Sequence, residues 1–182
     1  EISLNVLDVS ENSTRAGASL VTILVTADTS ADKLTIAIAD NGCGMTPEQT
    51  AHVTDPFFTT RTTRKVGLGI PFFKYAAEST GGSFHIESEP GKGTTVTAVF
   101  GLSHIDRMPL GDMNATIHNL IVYHPDTDFL YTYTYNDASF TLDTREMREI
   151  LGEIPLNTPE VSAYIMEYLK ENQQETDGGA LI

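Results

Sequence analysis

The chain has 182 residues, and its 25 Asp and Glu against 11 Lys and Arg give a formal net charge of −14. This acidity argues against binding to nucleic acid or to an anionic membrane surface, because both require Lys and Arg to neutralise phosphates. A hydrophobic fraction of 40% is ordinary for a globular domain, and the single cysteine, Cys43, excludes an internal disulfide framework. No apolar run approaches the roughly 18 residues of a membrane span, and no signal-peptide pattern opens the sequence, so we expect a cytoplasmic protein.

The first hundred residues contain helical and strand patterns separated by glycine-rich turns. Apolar spacing marks the helices, and alternation of apolar and polar side chains marks the strands. In chain order, these patterns predict a helix over 2–16, strands over 20–26 and 33–39, a short helix after Thr46, a helix over 71–78, and strands over 83–88 and 94–100.

Beyond Gly101 the composition changes, and three further strands are predicted over 116–123, 129–135 and 140–142. Helices are predicted over 143–151 and after Thr158, and the last residues are expected to fray. Tyr131, Tyr133 and Tyr135 share one strand face, which favours core packing over binding of a partner. The predicted organisation is a domain over 1–101, a strand–helix extension over 102–171 and a frayed tail over 172–182.

Asp8 and Asn12 stand four residues apart on the first predicted helix and therefore share a face. A carboxylate and an amide oxygen at this spacing present a proton acceptor and a neutral ligand to one point. An amide oxygen suits Mg²⁺, a hard cation that takes its other ligands from water and substrate phosphates. A solvent-exposed helix face is the alternative interpretation of the same pair.

Asp40, Gly42 and Gly44 directly follow the second predicted strand. The glycines allow the backbone to approach a flat ligand closely, and an ionised Asp accepts hydrogen bonds from a purine amino group. A glycine-rich turn with a capping Asp is the alternative.

Gly67-Leu68-Gly69 opens a predicted helix, whose N-terminal N–H groups form a site suited to phosphate. The segment is not a Rossmann fingerprint, because Phe72 stands where a third glycine is required. The later Gly91-Lys92-Gly93 is not a P-loop, because neither Ser nor Thr follows Lys92.

In their order and spacing these segments resemble the GHKL ATP-binding superfamily, whose members share the Bergerat fold. Residues 8–18 resemble the N-box, 40–45 the first glycine box, and 67–74 the second glycine box in its histidine-kinase form. Residues 91–96 resemble the signature of the final strand. The resemblance covers roughly residues 1–100 and implies an α+β two-layer sandwich with a mixed, mostly antiparallel sheet and helices on one face.

The resemblance also implies the roles of individual residues toward ATP and Mg²⁺. Asn12 would hold the Mg²⁺ that bridges the phosphates, Asp40 would bind the adenine amino group, and Thr95 would support Asp40 through a water molecule. Asp8 takes the position of the catalytic Glu of the family and is one methylene shorter. The remaining implied ATP contacts are Gly42, Gly44 and Met45 from the first glycine box, Gly67, Leu68 and Gly69 from the second, and Arg64 and Lys65 from a lid over residues 46–66.

Three functions follow from the resemblance. The first is a kinase-like protein, without a phosphoacceptor-histidine domain, that transfers the γ-phosphoryl group of ATP to a protein partner. The second is an ATPase whose lid closure drives association, and the third is a non-catalytic module gated by nucleotide. The kinase-like glycine box favours the first, and a homodimer is compatible with all three.

Overall fold

The computed structural model describes residues 1–57 and 68–182, which form six helices and six strands. The helices are α1 (Ile2–Arg15), α2 (Pro47–Val53), α3 (Gly69–Glu78), α4 (Met113–Tyr123), α5 (Thr144–Leu151) and α6 (Pro159–Asp177). The strands are β1 (Leu20–Asp28), β2 (Lys33–Asp40), β3 (Ser83–Glu89), β4 (Gly93–Gly101), β5 (Asp128–Tyr135) and β6 (Ala138–Asp143).

All six strands form one mixed sheet in the order β3-β4-β2-β1-β5-β6. Neighbouring strands are antiparallel except β1 and β5, which run parallel. The predicted α+β class with a mixed, mostly antiparallel sheet is confirmed. The C-terminal extension therefore widens the same sheet by two strands.

The core lies between one face of the sheet and the helices. Alternate residues of each strand point to this face, as Val21, Ile23 and Val25 of β1 do, and all three are fully buried. From the helix side, Val6 of α1 and Phe73 of α3 are equally buried. The result is a two-layer arrangement in which α1 packs against both α3 and α4.

The strand predicted over 116–123 is wrong, because these residues belong to helix α4. The Asp112 carboxylate caps this helix by accepting a hydrogen bond from the Ala115 N–H at 2.8 Å. Ile117, Leu120 and Ile121 are fully buried at helical spacing. Burial against α1 and α6 outweighs the strand preference of the β-branched residues, since propensity is a weak prior.

The C-terminal end is ordered further than predicted. Helix α6 continues to Asp177, so residues 172–177 are helical and not frayed. The Tyr133 hydroxyl donates a hydrogen bond to Asp177 Oδ2 at 2.9 Å, and the Leu110 N–H donates to the Ile182 carbonyl at 2.8 Å. Tyr131 and Tyr133 are buried in the core, as their strand pattern predicted.

Several contacts join the extension to α1, the helix that carries the predicted N-box. The Ile2 N–H donates to the Pro109 carbonyl at 3.0 Å. At the other end of α1, Glu11 pairs with His124 Nε2 at 2.9 Å. Within the described ranges, none of the helices combines the length and the apolar character needed to cross a bilayer.

Candidate functional site

A cavity of about 390 Å³ lies between α1, the end of β2, the loop that follows it and β4. This volume is in the range of small-molecule sites. Its apolar walls are Val9, Ile38, Met45, Val53, Ile70 and Val96. Its polar lining groups are Asn12, Ser13, Arg15, Asp40 and Thr94. Apolar walls with a few polar groups suit a flat ring that must be both buried and recognised.

Asp40 ends β2 with both carboxylate oxygens fixed. Oδ1 accepts a hydrogen bond from the Gly42 N–H at 2.9 Å, and Oδ2 accepts one from the Ser13 hydroxyl at 2.7 Å. An ionised carboxylate has further lone pairs, so it retains capacity to accept from a ligand.

Asn12 lines the same cavity as Asp40. Its carboxamide oxygen accepts a hydrogen bond from the Arg15 guanidinium, three residues later on α1. Arg15 is the only cationic residue among the described residues that line the cavity. The lining of the cavity therefore includes a carboxylate, an amide and a cation.

Thr95, the predicted support of Asp40, does not line the cavity, whereas Thr94 does. In the antiparallel register of β2 and β4, the residue opposite Asp40 is Thr94. Opposed residues share a face and successive residues alternate, so Thr95 belongs to the other face of the sheet. The Thr94 hydroxyl lies 2.8 Å from the Ser88 hydroxyl, which fixes it at the cavity wall.

Gly42 and Gly44 are required by close backbone approach. A Cβ at Gly42 would lie 2.9 Å from Ala16 Cβ at the end of α1. Gly44 has φ +67°, and a Cβ there would overlap the carbonyl oxygen of Glu89. The predicted glycine box is thus wedged between α1 and the β3–β4 hairpin, and next to it the Met45 N–H donates to the Ser88 hydroxyl at 2.8 Å.

Asp8 lies one turn before Asn12, is exposed, and is not among the residues that line the cavity. It contacts the start of α3, since a Cβ at Gly69 would lie 2.9 Å from Asp8 Cβ. Leu68 precedes α3 as its N-cap residue and is 46% exposed. The structure therefore brings Asp8 and Gly69 together, next in sequence to Val9 and Ile70, which line the cavity.

The short helix α2 begins as its sequence predicts. Thr46 and Gln49 form the reciprocal capping box, and Val53 at its end contributes an apolar wall. Three further predicted contacts, Arg64, Lys65 and Gly67, lie outside the described residues.

Sequence reasoning missed Ser13, Arg15 and Thr94. Arg15 follows Asn12 at the i+3 spacing that places two side chains on one helix face, and this signal was available. Thr94 and Thr95 both belong to the predicted strand over 94–100, and the pairing of β4 with β2 decides which of them faces the cavity. Ser13 has no local signal, because its partner Asp40 is 27 residues away.

Comparison with known proteins identifies the family of this chain. The family described as histidine kinase-, DNA gyrase B-, and HSP90-like ATPase matches residues 1–104, more than half of the chain. The chain belongs to this family. Residues 1–104 are accordingly an ATP-binding domain of the histidine-kinase type, which confirms the predicted GHKL resemblance.

Two of the similar curated proteins are sensors. The sensor protein kinase FleS of Pseudomonas aeruginosa is 37% identical over 97 residues, which are 53% of this chain and 24% of that protein. The sensor protein SrrB of Staphylococcus aureus is 33% identical over 100 residues, which are 52% of this chain and 17% of that protein. The chain spans less than a quarter of the length of these relatives.

A solved structure, described as the N-terminal domain of a DNA repair protein, shares the fold. The TM-score is 0.54 at 13% sequence identity, and the match covers 79% of this chain and 51% of that one. A match of this extent reaches beyond residue 104, so the shared fold includes part of the C-terminal extension.

Proposed function

We propose that the chain binds Mg-ATP in this cavity and transfers the γ-phosphoryl group to a partner protein. The observation that supports this most is that Asn12 and Asp40, 28 positions apart in sequence, line one cavity. Their chemistry is complementary to the two ends of ATP, since a carboxylate accepts from a purine amino group and an amide oxygen suits a phosphate-bound cation.

The purine end of the proposed site is the part around Asp40. The apolar side chains of Ile38, Ile70 and Val96 would bury the ring faces, and the Asp40 carboxylate would accept a hydrogen bond from the 6-amino group. Thr94, which lines the cavity, would take the role predicted for Thr95, the support of Asp40 through a water molecule.

The phosphate end is the part around Asn12 and Arg15. The Asn12 carboxamide oxygen is an oxygen ligand of the kind Mg²⁺ takes, so the donor set fits this cation. Bound there with the nucleotide, Mg²⁺ would neutralise phosphate charge. Arg15 would give its guanidinium to phosphate oxygens, and the N–H groups at the start of α3 would add further donors.

Phosphoryl transfer forms a bond between the acceptor oxygen or nitrogen and the γ-phosphorus. It breaks the bond from that phosphorus to the oxygen bridging to the β-phosphate, and ADP leaves. Asp8, which lies against the start of α3, would accept the proton of the acceptor group. The rest of the site contributes by positioning and by stabilising charge.

The binding half of the proposal is tested by calorimetric titration of ATP against the Asp40→Asn variant. Loss of the charge-assisted hydrogen bond should weaken binding by one to three kcal/mol, roughly 5- to 150-fold. Unchanged affinity would contradict the assignment. Asp137→Asn, in the turn between β5 and β6, is the matched control and should leave the affinity unchanged.

The transfer half is tested by incubating the protein with γ-labelled ATP and a lysate. Label on a second protein that disappears in Asp8→Asn supports transfer. Slow release of labelled phosphate without labelled protein would indicate an ATPase instead. Tight binding with neither activity would indicate a nucleotide-gated binding module, which the exposure of Asp8 and its position outside the cavity favour as the second candidate.

A protein partner, a homodimer and a cytoplasmic location complete the proposal. The names of the curated relatives, a sensor protein kinase and a sensor protein, support a role in signalling. The identity of the partner is the outcome of the labelling experiment.

A further inference from the structure

Ser13 is a buried hydroxyl whose position is set by two neighbours. It is 3% exposed, follows Asn12 on α1, and lies 2.7 Å from Asp40 Oδ2 and 3.5 Å from the Val9 carbonyl. A hydroxyl has one proton, and the shorter, charge-assisted contact takes it. Ser13 therefore donates to Asp40.

The Asp40 carboxylate is consequently fixed at both oxygens. The Gly42 N–H holds Oδ1 at 2.9 Å, and the Ser13 hydroxyl holds Oδ2. Rotation about the bond between the carboxyl carbon and Cβ would break both hydrogen bonds. The direction of the remaining lone pairs is thus determined before a ligand arrives, and a preorganised acceptor binds its donor without a reorganisation cost.

We propose that Ser13 is a positioning residue that orients Asp40 toward the 6-amino group of a purine and so contributes to the preference for ATP over nucleotides lacking that group. The inference rests on the proposed binding of ATP in this cavity. Ser13 acts through Asp40, because its own proton is already used.

The consequence for specificity follows from the acceptor character of the carboxylate. A fixed acceptor forms a hydrogen bond with a ligand that has an amino group and so binds it more tightly. A ligand with hydrogen at the same position leaves the acceptor unpaired and binds more weakly. If Ser13 no longer holds Oδ2, only the Gly42 N–H restrains the carboxylate, and its orientation is less well defined. The affinity for ATP then falls, because its hydrogen bond to Asp40 is weakened. The affinity for the analogue without the amino group stays the same, because it makes no such hydrogen bond.

The test compares ATP with purine riboside 5′-triphosphate, which has hydrogen in place of the amino group, by calorimetry on wild type and Ser13→Ala. Wild type should bind ATP about 10- to 100-fold more tightly than the analogue. Ser13→Ala should weaken the binding of ATP about tenfold and leave the affinity for the analogue within about twofold of the wild-type value. The ratio of the two affinities therefore falls. A general packing defect would weaken both ligands alike and leave their ratio unchanged.

Ser10→Ala is the matched control. Ser10 lies on the same helix and is fully buried, and its hydroxyl has no hydrogen-bond partner among the described residues. The same substitution there should change neither affinity nor preference. If Ser13→Ala does not fold, Ser13→Cys is measured in its place, since a thiol is a weak donor of similar size.

The outcomes separate this inference from the proposed function. A wild type that prefers ATP, with the preference unchanged in Ser13→Ala, would overturn the role of Ser13 and leave ATP binding intact. A wild type that binds neither nucleotide would overturn both. Ser13→Ala is also made in both wild type and the Asp40→Asn variant. If it lowers the preference for ATP in wild type and causes no further change in Asp40→Asn, the inference is supported directly, because Ser13 then acts through Asp40.

Discussion

The Arg15 guanidinium donates a hydrogen bond to the carboxamide oxygen of Asn12. This oxygen is the atom that we propose as a ligand of Mg²⁺. Two cations at one oxygen repel each other, so a bound Mg²⁺ would compete with Arg15 for it. A displaced guanidinium would be available to phosphate in the same cavity.

Replacing Arg15 by Ala should weaken the binding of ATP about tenfold, because a charge-assisted contact to phosphate is lost. Adenosine, which has no phosphate, should bind with unchanged affinity. Calorimetric titration of both ligands measures the difference. Arg145 is an exposed arginine on α5 that pairs with Asp143 at the end of β6. Arg145→Ala is the control and should change the affinity for neither ligand. Equal weakening of ATP and adenosine by Arg15→Ala would contradict a phosphate contact.

Replacing Gly44 by Ala should lower the free energy of unfolding by about 3 kcal/mol or more. The added Cβ would overlap the Glu89 carbonyl, and φ at this position is +67°. Urea denaturation measures the change.

Gly91→Ala separates the two causes of this effect. Gly91 has a similar φ of +78°, but a Cβ there meets nothing within 4 Å. Only the backbone cost remains, roughly 1 kcal/mol. Equal destabilisation by the two substitutions would show that the glycine loop does not lie against the hairpin as described.

The buried tyrosines should make the fold sensitive to alkaline pH. Burial raises the pKa of Tyr131 far above the ordinary value, and it does the same to the pKa of Tyr133, helped by the hydrogen bond to Asp177. The phenols stay protonated in the folded state, whereas the unfolded chain ionises near pH 10. Stability is therefore fully present below about pH 10 and falls as the pH rises further, by about 1.4 kcal/mol per pH unit for each tyrosine.

Tyr131→Phe tests this dependence, because it removes one ionisable group from the buried pair. Denaturation at several values above pH 10 should give a shallower slope than wild type. Tyr123→Phe, at a tyrosine that is 74% exposed, should keep the wild-type slope. A slope that Tyr131→Phe leaves unaltered would argue against burial of this phenol.

The hydrogen bond between Glu11 and His124 should couple the extension to α1. Its side chains are 32% and 25% exposed, so the pair is less screened than a surface pair. A double-mutant cycle with both residues changed to Ala should give a coupling of about 1 kcal/mol in unfolding free energy. The exposed pair His85 and Glu87, 69% and 75% exposed, should give a coupling near zero. Equal couplings would mean that the extension does not stabilise α1 through this contact.

Much of the first domain could be predicted from sequence because its signals are local. The apolar stripe of α1, the alternation in β1 and β2, and the capping box at Thr46 each depend on residues within a few positions. The glycines after β2 were identified for the same reason, since a turn followed by a capped helix has its own chemistry. Asp40 and Asn12 became candidates through the motifs that contain them.

The extension and the fine structure of the site could not be predicted in this way. Residues 116–123 have β-branched side chains but form a helix, because the surface they cover is built by α1 and α6. The place of β5 beside β1, parallel to it, depends on a connection that includes α4. None of these relations is encoded within one local segment.

The sequence alone determined the family, the order of elements over the first hundred residues, and the residue types that a nucleotide site needs. The tertiary structure alone decided that Thr94 and not Thr95 reaches the cavity, that Ser13 holds Asp40, and that Arg15 occupies the Asn12 oxygen. The physical reason is that local periodicity sets which side chains share a face of one element. Which faces meet depends on strand register and helix packing between segments that are distant in the chain.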